Sequence, residues 1–402
     1  MIAGVSEQQL LEAIGRTSPL FVADLKAMDS QLKGLVEGRR FLVIGGAGSI
    51  GHAVTKEIVK RDPECIHVVD ISENNLVEVV RDIRSGTQDV TCDFRTFVID
   101  AGSPHFMAFI KEFNAYDYVL NLSAMKHVRS EKDPYSLFRM LNTNIHYTKA
   151  TIEAAHAVGA RKFFAVSTDK AANPVNLMGA SKLVMEHLLL EASSRITVSS
   201  ARFANVAFSD GSLLYGMLHR LSKQQPISSP NDISRMFMTH AESGQLCLFS
   251  CLLGENAEWF LPSLDPVDEA VNLQDLVCNL LNLLGYEPVM FETETEARTH
   301  AKALISQNKW PCHFFVSDTT GEKESEEFST KEEVVITDRF TDIDVMLSSA
   351  QGASVDVPAI IADLDRLQAE QMYSKPQIID IFARHLPSFN HSNAKKNLDQ
   401  RM

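Results

Sequence analysis

The sequence predicts an α/β protein built on a doubly wound parallel sheet, with a smaller carboxyl-terminal lobe and helical extensions at both ends. Short, nearly continuous apolar runs alternate with helical patterns through the first half of the chain, which indicates strands buried on both faces. The 402 residues and the hydrophobic fraction of 45% also suffice for a large core.

Five apolar runs are predicted to be consecutive strands with helices between them. The runs are FLVIG (41–45), IHVVD (66–70), TFVID (96–100), YVLNLSA (118–124) and FFAVST (163–168). Because crossovers between parallel strands are right-handed, the intervening helices should cover both faces of the sheet. After about residue 205 the alternation fades and Gly, Ser and Pro become frequent, which is typical of a lobe that closes over the carboxyl edge of the sheet.

Composition excludes several classes of protein. The formal net charge of −14 argues against a nucleic-acid groove, which needs a basic stripe. No apolar run approaches the roughly 20 residues of a membrane helix, and the first residues lack the pattern of a signal peptide. Six scattered cysteines without CxxC spacing argue against a metal cluster or a disulfide framework. We therefore expect a cytoplasmic protein with no membrane span, no nucleic-acid partner and no metal site.

A glycine-rich turn, GGAGSIG, follows the first predicted strand and opens a helix. Gly45, Gly48 and Gly51 have the spacing of a dinucleotide-binding turn, in which the backbone needs positive φ and must approach a pyrophosphate closely. Ser49 and Ile50 begin the helix, whose free N–H groups and dipole favour a phosphate. The turn therefore predicts a dinucleotide site in a Rossmann-like domain.

Two carboxylates end the neighbouring predicted strands. Asp70 lies 19 positions after Gly51, where a carboxylate accepts hydrogen bonds from ribose hydroxyls and repels a 2′-phosphate. No Arg follows it closely, so NAD is favoured over NADP. Asp100 is placed to reach the adenine amino group, or is a plain carboxylate at a strand end.

These patterns predict four segments of the chain. They are a helical amino-terminal arm (1–37), an NAD-binding Rossmann domain (38–205), a substrate-binding lobe with an insertion (206–334) and a carboxyl-terminal helical extension (335–402). The polar and acidic stretch 287–312 is expected to be the surface insertion within the lobe.

The fifth predicted strand ends in Thr168-Asp169-Lys170, and MGASK follows from Met178 to Lys182. Ligands of doubly wound sheets bind at the carboxyl ends of the strands. Taken by themselves, Asp169 and Lys170 could also be a strand-end ion pair, and Met178 could be ordinary core filling.

These motifs resemble the extended short-chain dehydrogenase/reductase superfamily. More narrowly, they resemble the polysaccharide-biosynthesis nucleotide-sugar 4,6-dehydratases that act on UDP-N-acetylglucosamine. The matching segments are IGGAGSIG (44–51), NLSAMKHVRSEKDP (121–134), NTNIHYT (142–148), STDKAANPVNLMGASK (167–182), RFANVAFSDGS (202–212), SRMFMT (234–239) and, more loosely, TGEKESEE (320–327).

One departure from the superfamily pattern concerns Met178, which stands where the YxxxK motif has its catalytic Tyr. A thioether neither gives nor takes a proton. A branch of these dehydratases carries Met here, and the resemblance implies that the chemistry moves to the Thr168-Asp169-Lys170 strand end with retention at C5. An inverting dehydratase, a nucleotide-sugar 4-epimerase and an inactive NAD-binding scaffold are the alternatives.

The reaction that the resemblance implies is redox-neutral, because NAD takes a hydride from C4 of the UDP-sugar and returns it to C6. Lys170 is the candidate base for the C5 proton, and Asp169 is the candidate acid for the C6 hydroxyl. Thr168 is placed to bond the C4 oxygen. Lys182 is expected to hold the nicotinamide ribose and to favour an alkoxide at C4.

Further residues are candidates for substrate binding. Asn205 is expected to donate to a pyrophosphate or sugar oxygen, and Arg235 to clamp phosphate oxygens with its guanidinium. The resemblance places Glu322 near the uridine. Lys126 and His127 belong either to a structural loop or to a substrate contact.

The resemblance also implies a homodimer, with higher homo-oligomers open. In the superfamily, the helices that correspond to those after Pro134 and Gly179 often form a four-helix interface between two subunits.

Overall fold

The computed structural model describes residues 6–87, 89–317, 326–348, 355–371 and 373–391. The strands are β1 (Arg40–Ile44), β2 (Cys65–Asp70), β3 (Asp93–Val98), β4 (Tyr118–Asn121), β5 (Lys162–Val166), β6 (Thr197–Ala201), β7 (Asn205–Val206), β8 (Ile227–Pro230), β9 (Ser234–Arg235), β10 (Phe237–Met238), β11 (Glu258–Pro262), β12 (Val271–Asn272), β13 (Glu287–Phe291), β14 (Lys309–Phe315), β15 (Val334–Ile336) and β16 (Ile343–Leu347).

The helices are α1 (Glu7–Ala13), α2 (Val22–Val36), α3 (Ser49–Val59), α4 (Glu73–Arg84), α5 (Pro104–Glu112), α6 (Pro134–Leu141), α7 (Tyr147–Ala157), α8 (Leu177–Ala192), α9 (Leu213–Ser222), α10 (His240–Leu253), α11 (Leu273–Leu283), α12 (Glu294–Ile305), α13 (Val357–Ala369) and α14 (Lys375–His385). Within the described ranges, none of these helices combines the length and the apolarity that crossing a bilayer requires.

In the described parts of the chain, nine strands form the main sheet, in the order β15-β16-β11-β6-β5-β4-β1-β2-β3. Neighbours from β3 to β11 are parallel, and the two strands beyond β11 are antiparallel. The five predicted strands are the first five of the structure, and the doubly wound α/β class is confirmed. The chain winds outward from β1 to β3 and then returns to β4, so the carboxyl ends of β1 and β4 flank the crevice where such sheets bind ligands.

The predicted helical extension from residue 335 is wrong for its first part, because two strands of the main sheet lie at and beyond that boundary. β15 straddles the boundary, and β16 pairs antiparallel with β11. β11 itself returns to the main sheet from within the predicted lobe. Short apolar runs such as IDVML have no periodicity that separates strand from helix. The four-segment division otherwise stays a prediction.

The stretch 287–312, expected to be a surface insertion, contains a β–α–β unit that packs into the apolar core of the lobe. β13 and β14 are parallel, and β14 pairs with β8 in a three-stranded sheet. Trp310 and Cys312 are buried against α11 and its neighbours. On α12 only Ala297 and Ala301 are buried, so its charged face accounts for the polar composition.

Helix α8 is enclosed by the chain itself, and 12 of its 16 residues are buried. The carboxyl-terminal helices α13 and α14 lie against it and share its apolar core. The ring of Tyr373 lies 4.1 Å from that of Phe138 on α6, and Asp365 Oδ1 lies 2.9 Å from His146 Nε2. The resemblance implies a dimer interface formed by α6 and α8. The carboxyl-terminal extension of the same chain therefore covers part of the surface through which that dimer would form.

Candidate active site

The glycine-rich turn lies between β1 and α3, at the carboxyl edge of the sheet. Gly45 has φ of +72°, and a Cβ there would lie 2.5 Å from Ser123 N. A Cβ on Gly51 would lie 2.3 Å from Gly45 O, whereas a Cβ on Gly48 would meet nothing nearer than Gly45 O at 3.6 Å. Gly45 and Gly51 are therefore required by the packing of the protein, while Gly48 presents backbone to open space.

The amino terminus of α3 is open to an anion. Gly48 is its N-cap residue and no side chain caps the first turn, which begins with Ser49 and Ile50. Asp70 lies beside the turn, and its Oδ2 accepts a hydrogen bond from Ala47 N at 3.0 Å. The other oxygen of Asp70 accepts from a backbone N–H two residues later, at 2.9 Å. The structure therefore brings the predicted acidic residue onto the predicted turn.

Asp100 lies two residues beyond the end of β3, and both of its carboxylate oxygens contact neighbouring residues. Its Oδ1 accepts a hydrogen bond from Gly102 N at 2.9 Å, and its Oδ2 lies 3.4 Å from Arg139 Nη2. Arg139 also donates to the Tyr147 hydroxyl at 2.8 Å. These contacts favour the interpretation of Asp100 as a structural carboxylate at a strand end. Its contact with adenine stays a prediction.

The structure brings Thr168, Asp169 and Lys170 together at the end of β5. Thr168 Oγ1 donates to Asp169 Oδ1 at 2.7 Å, and Lys170 Nζ lies 3.0 and 3.1 Å from the two Asp169 oxygens. Asp169 is 2% exposed, whereas the Lys170 side chain is 26% exposed. The cluster is thus a buried carboxylate that contacts one hydroxyl and one more accessible amine.

Helix α8 begins directly against this cluster. A Cβ on Gly179 would lie 2.2 Å from Lys170 O, so only glycine permits this approach. Met178 is buried one residue earlier. One helical turn further on, Lys182 Nζ donates to Val166 O at 2.9 Å, and burial lowers the pKa of Lys182 to about 8. The five residues predicted to be catalytic therefore lie on two elements in contact.

Lys126 and His127 both face the loop that follows β7. Lys126 Nζ donates to Ser209 Oγ at 2.9 Å, and a Cβ on Gly211 would lie 2.7 Å from His127 Nε2. Burial lowers the pKa of both side chains. These contacts favour a structural role for the pair, and a substrate contact stays a prediction.

Asn205 and Arg235, the predicted substrate residues of the lobe, meet at one buried carboxylate. Glu326 Oε1 accepts from Asn205 Nδ2 and lies 3.8 Å from Arg235 Nε, while its Oε2 accepts from Met236 N at 2.7 Å. Burial and the nearby charge of Asp169 raise the pKa of Glu326.

Glu326 was missed by the sequence analysis. Its only signal was its place in the loosely matched run TGEKESEE, and nothing in so acidic a run marks one carboxylate as buried. Glu322, the predicted uridine contact in the same run, lies outside the described residues.

A buried charge network ties this part of the chain to α8. Arg202 is 1% exposed and bonds to both oxygens of Glu186 on α8, at 2.9 and 2.7 Å. It also bonds to both oxygens of Glu333, at 2.9 and 2.8 Å, and to Phe328 O at 2.8 Å. The segment that carries Glu326 is therefore anchored to α8.

Among the described residues, one group of possible metal ligands lies together, namely Cys65, His67 and Asp93. Sequence spacing does not show it, because the sheet register places Cys65 beside Asp93 on adjacent strands. His67 Nε2 lies 3.6 Å from Asp93 Oδ2, and its Nδ1 lies 2.7 Å from the Tyr116 hydroxyl. The group is at the amino ends of β2 and β3, across the sheet from the glycine turn, and takes no part in the candidate site.

A family model described as "Polysaccharide biosynthesis protein" matches residues 41–347. The chain belongs to this family. The match begins in β1 and ends with β16, so it includes the glycine turn, the Thr168-Asp169-Lys170 cluster and Glu326.

Several curated proteins are similar in sequence to more than half of this chain. "Uncharacterized membrane protein MJ1061" of Methanocaldococcus jannaschii is 29% identical over 70% of this chain and 83% of its own length. "Capsular polysaccharide biosynthesis protein CapD" of Staphylococcus aureus is 31% identical over 61% of this chain, which spans only 41% of that relative. The "UDP-N-acetylglucosamine 4,6-dehydratase (inverting)" of Campylobacter jejuni strain 81-176 is 28% identical over 57% of this chain and 68% of its length.

Solved structures confirm the fold. "Pen" from Bacillus thuringiensis aligns with a TM-score of 0.62 and 24% identity over 80% of this chain and 90% of that one. DesIV, a dTDP-glucose 4,6-dehydratase from Streptomyces venezuelae determined with NAD and TYD bound, aligns with a TM-score of 0.53 and 16% identity over 69% and 85% of the two chains. At these identities the likeness concerns the fold alone.

Proposed function

We propose that this chain is a nucleotide-sugar 4,6-dehydratase that acts on UDP-N-acetylglucosamine and retains the configuration at C5. The observation that carries the proposal is the Thr168-Asp169-Lys170 cluster, which lies against the start of α8. There Met178 stands at the position of the expected proton-transferring Tyr. Family membership and the dehydratase relative support the reaction class. Retention rests on Met178 alone.

The residues of the glycine turn fit a nicotinamide dinucleotide. Gly48 leaves open space over the uncapped amino terminus of α3, where Ser49 and Ile50 offer N–H groups to the pyrophosphate. Asp70 would take the adenosine ribose, which favours NAD over NADP, and Lys182 would hold the nicotinamide ribose. When bound, the nicotinamide accepts a hydride from C4 of the sugar and returns it to C6.

Dehydration needs a base for the C5 proton and an acid for the C6 hydroxyl. Lys170 Nζ lies 3.0 Å from Asp169 Oδ1, so one proton transfer across this contact converts the ion pair into a neutral amine and a carboxylic acid. Those are the two forms that the reaction requires. Lys170, with its more exposed amine, then takes the C5 proton, and Asp169 supplies the proton for departing water.

The C4 hydroxyl must also lose a proton when its carbon is oxidised. Met178 has no exchangeable proton, so this role falls to Thr168. Its hydroxyl donates to Asp169 Oδ1 at 2.7 Å in the ion pair. Once Asp169 carries the proton from Lys170 it cannot accept a second one, so Thr168 accepts the O4 proton and releases its own hydroxyl proton to water.

The decisive experiment follows the sugar by NMR while the protein turns over UDP-N-acetylglucosamine with NAD in deuterated water. A 4-keto-6-deoxy product of xylo configuration with deuterium at C5 supports the proposal. The arabino ketone as primary product contradicts retention but not dehydration. UDP-N-acetylgalactosamine would identify a 4-epimerase instead, and unchanged substrate would overturn the proposed activity.

Replacing Lys170 with Ala removes the proposed base. We expect kcat to fall by about 10²–10⁴-fold, as is usual for loss of a positioned proton-transfer group. The rate of ketone formation measures the effect. Lys223→Ala, at an exposed lysine outside the cluster, is the matched control. Near-normal turnover of Lys170→Ala would remove Lys170 from this role.

A further inference from the structure

Glu326 is a buried carboxylate whose partners are the two predicted substrate residues of the lobe. It is 5% exposed. One oxygen accepts from Asn205 and faces Arg235, and the other accepts from the backbone of Met236. A carboxylate that is withdrawn from water keeps such contacts because it has no other means of satisfying its oxygens.

This arrangement fixes the orientation of the Asn205 amide. The amide nitrogen has two hydrogens and two acceptors, since it donates to Glu326 Oε1 and to Met236 O at 3.2 Å. Both acceptors are oxygens, so the reversed amide would place oxygen against oxygen. Within the part of the chain that the structure describes, no group donates to Asn205 Oδ1, and the residue is only half-buried. Asn205 therefore presents an acceptor.

Asn205 and Arg235 then suit different parts of a UDP-sugar. Pyrophosphate oxygens only accept hydrogen bonds at neutral pH, so Asn205 Oδ1 has no bond to make with them. The hexose carries donors, namely its hydroxyls and its acetamido N–H. Arg235, whose Nε lies 3.8 Å from the same oxygen of Glu326, keeps the cationic donors that suit phosphate.

We propose that Glu326 is a positioning residue for substrate specificity, which fixes the Asn205 amide so that its oxygen accepts a hydrogen bond from the hexose. This inference rests on the proposed function in taking a UDP-hexosamine as the ligand. It reverses the sequence expectation that Asn205 donates to a phosphate or sugar oxygen. In this proposal Glu326 acts through Asn205 and makes no contact of its own with the sugar or the cofactor.

The test compares the binding of UDP-N-acetylglucosamine with that of UDP, which lacks the hexose, by calorimetry in the presence of NAD. In Glu326→Gln an amide NH2 must face either Asn205 Nδ2 or Met236 N, so one contact becomes donor against donor. We expect Kd for UDP-N-acetylglucosamine to rise about tenfold and Kd for UDP to change less than about twofold. Glu327→Gln, at an exposed neighbour that bonds Asn173 at 3.1 Å, should change neither.

Asn205→Ala is a second variant, because it removes the proposed contact without leaving a donor against a donor. It should show the same selective loss, and the double variant should lose little more than either single one. Equal weakening of UDP and UDP-N-acetylglucosamine would overturn the inference. A Glu326→Gln variant with unchanged KM and reduced kcat would also overturn it, by placing Glu326 in the chemistry. If the wild-type protein binds UDP-N-acetylglucosamine without dehydrating it, the proposed function fails while this binding comparison still decides the inference.

Discussion

The two halves of the candidate site are built in different ways. The glycine turn occupies seven consecutive residues, and its shape follows from backbone contacts such as that between Gly51 and Gly45 O. The other half is the Glu326 cluster, formed by Glu326 with Asn205, Arg235 and the backbone of Met236. It joins side chains up to 121 positions apart and depends on buried charges. The first half is a local property of the sequence, whereas the second exists only when distant segments have packed. The two should therefore respond differently to substitution.

The largest effect is expected at Arg202, which anchors the second half. In Arg202→Met, Glu186 and Glu333 lose the cation between them while they remain partly withdrawn from water. The free energy of unfolding should fall by about 3–5 kcal/mol, the usual cost of an uncompensated buried charge. Urea unfolding measures it. Arg195→Met, which removes an exposed ion pair with Glu153, is the control and should change little. A small effect at Arg202 would show that packing alone holds this half together.

An intermediate effect on stability is expected at the glycine turn. The fold leaves no room for a side chain at Gly45 but does leave room at Gly48. Gly45→Ala places a Cβ 2.5 Å from Ser123 N at a positive φ, and should cost roughly 2–3 kcal/mol of unfolding free energy. Gly48→Ala has room in the folded protein, so it should leave thermal stability unchanged and weaken NAD binding. Equal destabilisation by the two variants would contradict the division between packing and ligand roles.

A smaller, pH-dependent effect is expected at Lys182, which is buried on α8. Burial lowers its pKa from 10.5 to about 8 in the folded state. Between those two values the unfolded chain binds more protons, so this group favours the folded state increasingly as pH rises. From pH 7 to 9.5 the wild-type protein should gain about 2 kcal/mol relative to Lys182→Met. Urea unfolding at both pH values measures it, and Lys223→Met should show no such trend.

Features that depend on local pattern were predictable. Five strands, the glycine turn and the neighbouring Asp70 were found because apolar runs, glycine spacing and strand ends are visible in the sequence. The helical extension was partly wrong because β15 and β16 are too short to show a period. The unit β13-α12-β14 was underestimated because the exposed face of α12 dominates its composition. Glu326 could not be found because burial of one carboxylate in an acidic run is decided by contacts with residues far away in the chain.

Because α13 and α14 pack against α8, the stability of that helix should not depend on protein concentration. Glu131 accepts a hydrogen bond from Met178 N at 3.1 Å, and Lys375 and His391 of the extension both lie 3.5 Å from its other oxygen. The helix that carries Met178 and Lys182 is thus braced from within one polypeptide. Bracing by a second subunit weakens as concentration falls, whereas bracing within a chain does not.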